Sequence, residues 1–278
     1  MHTPTTIWPS GGSGSGPVPP TPFNPDIVPG LVIDLDARDA PDPAYGTSNP
    51  LASIVERKYG YTFAGAAERG SRFFCPQSMS ENIGLASIDF NWGHAGDILT
   101  TTAPVTQLAG AKAVTILALV QLLQDVNAPA SVFVGTGPGA VDGDFLLYGY
   151  GAAPAPKVST YAFGNVGATG FAVTQSLLVP QLLTGSYDFN LPTAQTQPIL
   201  ANNEVCTVGG IVAAASVNTG TFLSRVLTVG DVPTAVFPCR FASFGKVLVY
   251  ARATPLNATE LAYLSAGIGA IWNVPVAP

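Results

Sequence analysis

The chain has 278 residues, of which 47% are hydrophobic and only 10% charged, with a net charge of −6. That length accommodates one large β-sandwich, and the eleven Lys and Arg are too scattered to form a phosphate-binding footprint, so nucleic acid is not expected as a partner. The longest apolar stretch, residues 114–123, is interrupted by Thr115 and Gln121 and falls short of the ~18 residues of a spanning helix, so no membrane insertion is expected.

An average globular domain carries about 25% charged residues. A chain this poor in charge fits a surface covered by neighbours in an assembly, because interface cores are depleted of charge; a neutral-surfaced monomer is the other reading. Cys75, Cys206 and Cys239 lie far apart with no CxxC pair, which argues against a disulfide framework and a zinc site. No basic segment precedes an apolar core at the N-terminus, so no secretory leader is expected.

Residues 1–29 read as a flexible arm. Gly11 to Gly16 alternate with serines as a flexible linker, and residues 17–29 contain six prolines, which favour extended polyproline II geometry. Ile7, Trp8 and Pro9 precede the linker. A Trp on a mobile arm suits an anchor that docks into another subunit, although an incidental aromatic in a frayed terminus would look the same.

Residues 30–278 read as the folded domain. Residues 31–37 alternate from Ile33 onward and predict a first strand. Residues 40–110 are less regular, with 87–92 as a strand candidate. Residues 113–121 form an apolar run rich in β-branched side chains and predict a strand buried on both faces. Short strands are then expected at 131–134, 144–150, 158–163, 176–183, 210–217, 222–229 and 246–251, with Asp142-Gly143 marking a tight turn. Near the end, Asn257 and Glu260 have the spacing of a capping box, and Leu261, Leu264, Ile268 and Ile271 recur on one helical face, predicting a helix from 258 to about 271.

Several of these pieces resemble, in order, the concanavalin A-like (laminin-G-like) jelly-roll domains found in bacteriophage virion proteins. Residues 29–37 resemble their opening strand, 114–121 a central strand, and 183–188 (Leu-Thr-Gly-Ser-Tyr-Asp) a later one. Residues 244–254 followed by 257–272 resemble their closing strand and helix. The sequence departs from that pattern at Asn273, where Gly is usual, and in the Thr-, Gln- and Asn-rich region 190–210. The resemblance implies an all-β, concanavalin A-like jelly-roll sandwich with a short C-terminal helix and an extended N-terminal arm.

Related jelly rolls include glycoside hydrolases, whose paired carboxylates usually share one strand in Glu-x-Asp-x-Glu spacing. The five glutamates here, Glu56, Glu68, Glu81, Glu204 and Glu260, are isolated. His94 near Asp97 has no Gly-x-Ser-x-Gly elbow to serve, and Gly135 to Gly139 lacks the Lys-Ser/Thr ending of a phosphate loop. No catalytic residue, no cofactor and no enzymatic activity are therefore expected. Asp34, Asp36, Asp39 and Asp42, with Asp142 and Asp144, are the groups that could ligate calcium. Turn chemistry accounts for them as well, and no metal is expected.

The leading expectation is a structural or adhesive virion component of a bacteriophage: a fibre, spike or head-decoration subunit that is assembled in the host bacterial cytoplasm and forms homo-oligomers. It would be anchored to other virion proteins through Ile7, Trp8 and Pro9. The alternative is a carbohydrate-binding module recognising a host-surface glycan through the aromatic candidates Trp92, Tyr148, Tyr150 and Tyr161. A glycoside hydrolase is the third and least supported reading.

Overall fold

The computed structural model describes residues 22–40, 50–65, 71–72, 87–90, 98–122, 131–136, 143–150, 157–162, 173–174, 179–190, 200–201, 204–205, 220–230 and 242–276. Within them seventeen strands and one α-helix are formed. The strands are β1 (Leu31–Asp36), β2 (Pro50–Leu51), β3 (Ser53–Val55), β4 (Thr62–Gly65), β5 (Ser71–Arg72), β6 (Ile88–Phe90), β7 (Leu99–Thr101), β8 (Ala113–Leu122) and β9 (Ser131–Thr136). They continue with β10 (Phe145–Tyr150), β11 (Lys157–Ala162), β12 (Val173–Thr174), β13 (Gln181–Asp188), β14 (Leu200–Ala201), β15 (Glu204–Val205), β16 (Leu227–Val229) and β17 (Ala242–Arg252). The helix α1 spans Ala258–Trp272.

Two antiparallel sheets result. One runs β15-β14-β13-β8-β17-β6-β5-β2, with β1 also pairing β17; the other runs β12-β11-β10-β9-β16-β7-β4-β3. The architecture is an all-β sandwich with a C-terminal helix, as the sequence leads one to expect. The apolar run at 113–121 forms β8, flanked by β13 and β17 and buried on both faces. Its even-numbered residues share a face with Tyr187 of β13, whose ring meets Phe145 of the opposite sheet at 5.5 Å. Phe222 packs edge-on against Phe145 and stacks on Phe189 at 4.4 Å, so an aromatic cluster ties the two sheets together.

On the odd-numbered face of β8, Leu119 and Trp272 of α1 meet beside Gly245, and Leu264, Ile268 and Trp272 of the helix are buried. The helix begins as its sequence dictates: Asn257 accepts from the backbone of Glu260 and Glu260 returns the bond to Asn257. It ends at Asn273, which adopts φ 51°. Asn tolerates the left-handed region better than most residues with a Cβ, so it can end the helix where Gly is the commoner choice. The bulge at Gly245 opens a seat for the Trp272 ring, since a Cβ there would lie 2.8 Å from it.

Three expectations shift. Residues 22–29, read as the end of the arm, lie against the domain: Tyr250 donates to the carbonyl of Pro25 at 3.0 Å, and Val28 is buried. Phe23 fills the notch left by Gly267, where a Cβ would sit 1.9 Å from its ring, which explains a helix-weakening glycine inside α1. The strand expected at 176–183 is displaced to Gln181–Asp188, in register with β8 from Val120 to Ala113. Of 222–229 only Leu227–Val229 is a strand, because Phe222 turns inward to the aromatic cluster. The strand expected at 210–217 lies outside the described residues, as does the segment 1–21.

Candidate functional site

The site is built by the turn that joins β3 to β4. Residues 56–61 (Glu-Arg-Lys-Tyr-Gly-Tyr) make that turn around one buried carboxylate. Glu56, 2% exposed, accepts from the backbone N–H of Tyr59 at 2.7 Å and Tyr61 at 3.0 Å on one oxygen, and of Lys58 at 2.7 Å and Asp34 at 3.1 Å on the other. A carboxylate holding four amides fixes the loop and fastens it to β1. Arg57 fastens it again: its guanidinium pairs with both oxygens of Asp39 at 2.6 and 2.7 Å and with Asp36 at 2.8 Å.

With the turn held, Lys58 and Tyr59 point toward the 22–29 segment. The Lys58 ammonium donates to Asp26 at 2.5 Å; this hydrogen bond holds the lysine above its ordinary pKa. Between the two segments lies a pocket of about 270 Å³, lined among others by Asp26, Val28, Lys58, Tyr59 and Gln107. Tyr59 is 51% exposed, so its ring is presented to solvent. Gln107 is oriented from below, since the Tyr61 hydroxyl donates to its Oε1 at 2.7 Å; its amide N–H groups are then the donors it has to offer. The pocket thus combines a carboxylate acceptor, ammonium and amide donors and an aromatic face in a small volume, the composition of a binding site for a small polar ligand.

Beneath it sits a cluster of buried charge. Asp34 and Asp36 face the same way on β1, opposite Leu248 and Lys246 of β17. Lys246 donates to Asp34 and, at 3.0 Å, to Asp36, and Arg38 forks onto Asp36 at 2.8 and 2.6 Å. Burial pushes the Asp34 carboxyl up more than Lys246 pulls it down. Burial acts on Asp36 as well, but Arg38, Lys246 and Arg57 together outweigh it and hold that carboxyl well below the carboxylate range.

The oxygens of Asp34, Asp36 and Asp39, calcium candidates in the sequence, are therefore directed at Lys246, Arg38 and Arg57. Asp144 is buried and pairs with Arg225 at 3.2 Å. Among the described residues no group of three or more His, Cys, Asp and Glu is placed to hold a metal ion; Asp42 and Asp142 lie outside them.

The aromatic candidates divide. Trp92 lies outside the described residues, as do Ile7, Trp8, Pro9, His94 and Asp97. Tyr148 and Tyr150 pair with Ser159 and Lys157 of β11, and Tyr161 pairs with Leu146. Cross-strand partners share a face and residues alternate along a strand, so the three tyrosine positions fall on one face, opposite that of Phe145 and Leu147. Asp26, Lys58, Tyr59 and Gln107 do not stand out in sequence periodicity. The usable signal was Arg57-Lys58, the only adjacent basic pair in the chain, followed by Tyr-Gly-Tyr.

No protein-family model matches the chain, and no curated protein matches it. Solved structures do. The Trypanosoma rangeli sialidase in complex with sialic acid matches with a TM-score of 0.53 and 16% identity over 86% of this chain and 33% of that one. A mutant of the same sialidase displaying trans-sialidase activity matches with a TM-score of 0.53 and 13% identity over 90% and 34%. The structure describing cell entry of botulinum neurotoxin type C through two ganglioside molecules matches with a TM-score of 0.48 and 10% identity over 87% and 52%. This chain spans about a third of the sialidase's length, and at these identities the likeness is one of fold. It corrects one expectation: the sandwich is shared with the chain of an enzyme, so the lack of a Glu-x-Asp-x-Glu strand does not make this protein a non-enzyme. The bacteriophage association has no counterpart in the sialidase structures, and what they share with the chain is the β-sandwich.

Proposed function

We propose that this chain is a carbohydrate-binding domain whose sugar site is the pocket between residues 22–29 and the β3–β4 turn. The observation that carries the reading is the half-exposed Tyr59 ring beside Asp26, Lys58 and Gln107, on a turn held rigid by Glu56. Sugars offer an apolar C–H face for stacking and hydroxyls that both donate and accept, and this pocket presents partners for each. A volume of about 270 Å³ is near the lower end of small-ligand sites and suits a single ring. The sandwich fold shared with a protein solved in complex with sialic acid agrees with a carbohydrate role.

Tyr59→Ala is expected to weaken glycan binding by about tenfold or more, the effect of losing an aromatic contact at a binding centre. Its half-exposed position means that the thermal midpoint should stay within the small range of surface substitutions. Glycan-array binding and calorimetry on the variant and on Tyr150→Ala separate the two surfaces. If Tyr150→Ala abolishes binding and Tyr59→Ala does not, the site lies at β10 and the pocket assignment fails.

Within the same proposal, the domain belongs to a virion and is tethered there by the arm, with Ile7, Trp8 and Pro9 as the contact to other virion proteins. The docking of residues 22–29 onto α1 and β17 supports this, because it gives the chain ahead of it a fixed point of departure. A chain lacking residues 1–21 is expected to fold and bind sugar normally while no longer joining particles. Normal incorporation of that shortened chain refutes the tether.

A further inference from the structure

The charges at the pocket select among sugars, and this inference rests on the carbohydrate reading above. We propose that the pocket takes an uncharged sugar presenting vicinal hydroxyls, and not a sialylated or uronic-acid sugar, because its one lining cation is already neutralised by Asp26. Among the described residues Lys58 is the only Lys or Arg lining the pocket, and it is paired with Asp26 at 2.5 Å. The neighbouring cation, Arg57, is committed to Asp36 and Asp39. A sugar carboxylate would therefore have to break the Lys58–Asp26 pair or lie against the Asp26 carboxylate, and neither gives it the bidentate cationic partner that carboxylates favour.

Hydroxyls face no such conflict. The Asp26 carboxylate has lone pairs beyond the one that Lys58 uses, the ammonium has two further protons, and Gln107 supplies amide N–H groups. Two adjacent hydroxyls can donate to Asp26 while accepting from Lys58 or Gln107, and the Tyr59 ring and Val28 cover the apolar face of the ring. The chain's net charge of −6 adds a long-range field that disfavours anionic ligands.

The test is calorimetric titration of the full chain with methyl glycosides of glucose, galactose and mannose, and with methyl glucuronide and methyl sialoside. At least one neutral glycoside is expected to bind with an affinity unchanged between low and high salt, since it carries no charge to screen. The acidic ones are expected to be about tenfold or more weaker, the order of discrimination a misplaced charge imposes.

Asp26→Asn releases the Lys58 ammonium. It should weaken the neutral sugar and strengthen the acidic ones, with a salt dependence the unaltered chain lacks. Lys58→Met should weaken the neutral sugar without admitting the acidic ones. Both side chains are partly exposed, and thermal melting verifies that each variant is folded. Equal or tighter binding of the acidic glycosides by the unaltered chain overturns the neutral-ligand inference and leaves the carbohydrate reading in place. Failure of both series to bind overturns both.

Discussion

Lys246→Met is expected to destabilise the domain by about 3–5 kcal/mol, the cost of removing one partner from a buried ion pair. Lys246 is 4% exposed and its two partners, Asp34 and Asp36, are 8% and 0% exposed, so solvent does little to replace the lost ammonium. Asp36 keeps Arg38 and Arg57 in the variant, whereas Asp34 is left as a buried carboxylate with no cation bonded to it. The loss should therefore depend on pH. Asp34 already has its folded pKa raised above its ordinary 3.8, and without Lys246 it rises further. A group raised in this way opposes folding when ionised and stops doing so as pH falls through the folded value. The deficit of the variant should accordingly be largest at high pH and shrink as pH falls toward the carboxylate range, and Asp34→Asn in the same background should recover part of it.

In the unaltered chain Asp36 contributes to the acid limb. Its folded pKa is depressed, so its contribution is fully present above its ordinary value of 3.8 and is lost as pH falls below that. Urea denaturation of the two chains at pH 8 and pH 5 checks the argument. A difference below about 1 kcal/mol at pH 8, the level of a surface pair, would show that the cluster does not hold β1 to β17.

Trp272→Ala is the second large effect, at about 3–5 kcal/mol. The Trp272 side chain is 1% exposed, covers the bulge at Gly245 and lies 5.8 Å beneath the Arg38 guanidinium. Its loss leaves a void that a rigid sheet cannot close, and it also removes one surface of the charged cluster. Trp272→Phe retains most of the apolar contact and should recover more than half of the loss. Guanidinium titrations followed by circular dichroism measure both variants. If Trp272→Ala unfolds within about 1 kcal/mol of the unaltered chain, α1 is not the structural cover of its sheet.

These two sites show what a linear reading conveys and what it misses. The helix was legible because its signals are local: a cap, a box partner three residues on and an apolar stripe at helical spacing all lie within one short segment. The β8 strand was legible because burial on both faces leaves a continuous apolar run. Strand boundaries were less so, since β13 takes its limits from an eight-residue ladder with β8, more than sixty positions away, and nothing in its own composition records that partner. Asp34 and Asp36 read as polar members of an alternating strand, or as calcium ligands. They are buried members of an ion cluster because Lys246 lies 212 and 210 residues further along.

The all-β class, the run that becomes the central strand, the capped helix and the scarcity of charge can be read from the linear chain, since each follows from composition or from a period shorter than about ten residues. Which acids face cations, which glycines yield to rings and which side chains line one pocket are settled only once the chain is folded. Asp26 and Lys58 form an ion pair across 32 positions, Gln107 joins them in the pocket lining from further along the chain, and non-local contacts leave no periodic trace in the chain that makes them.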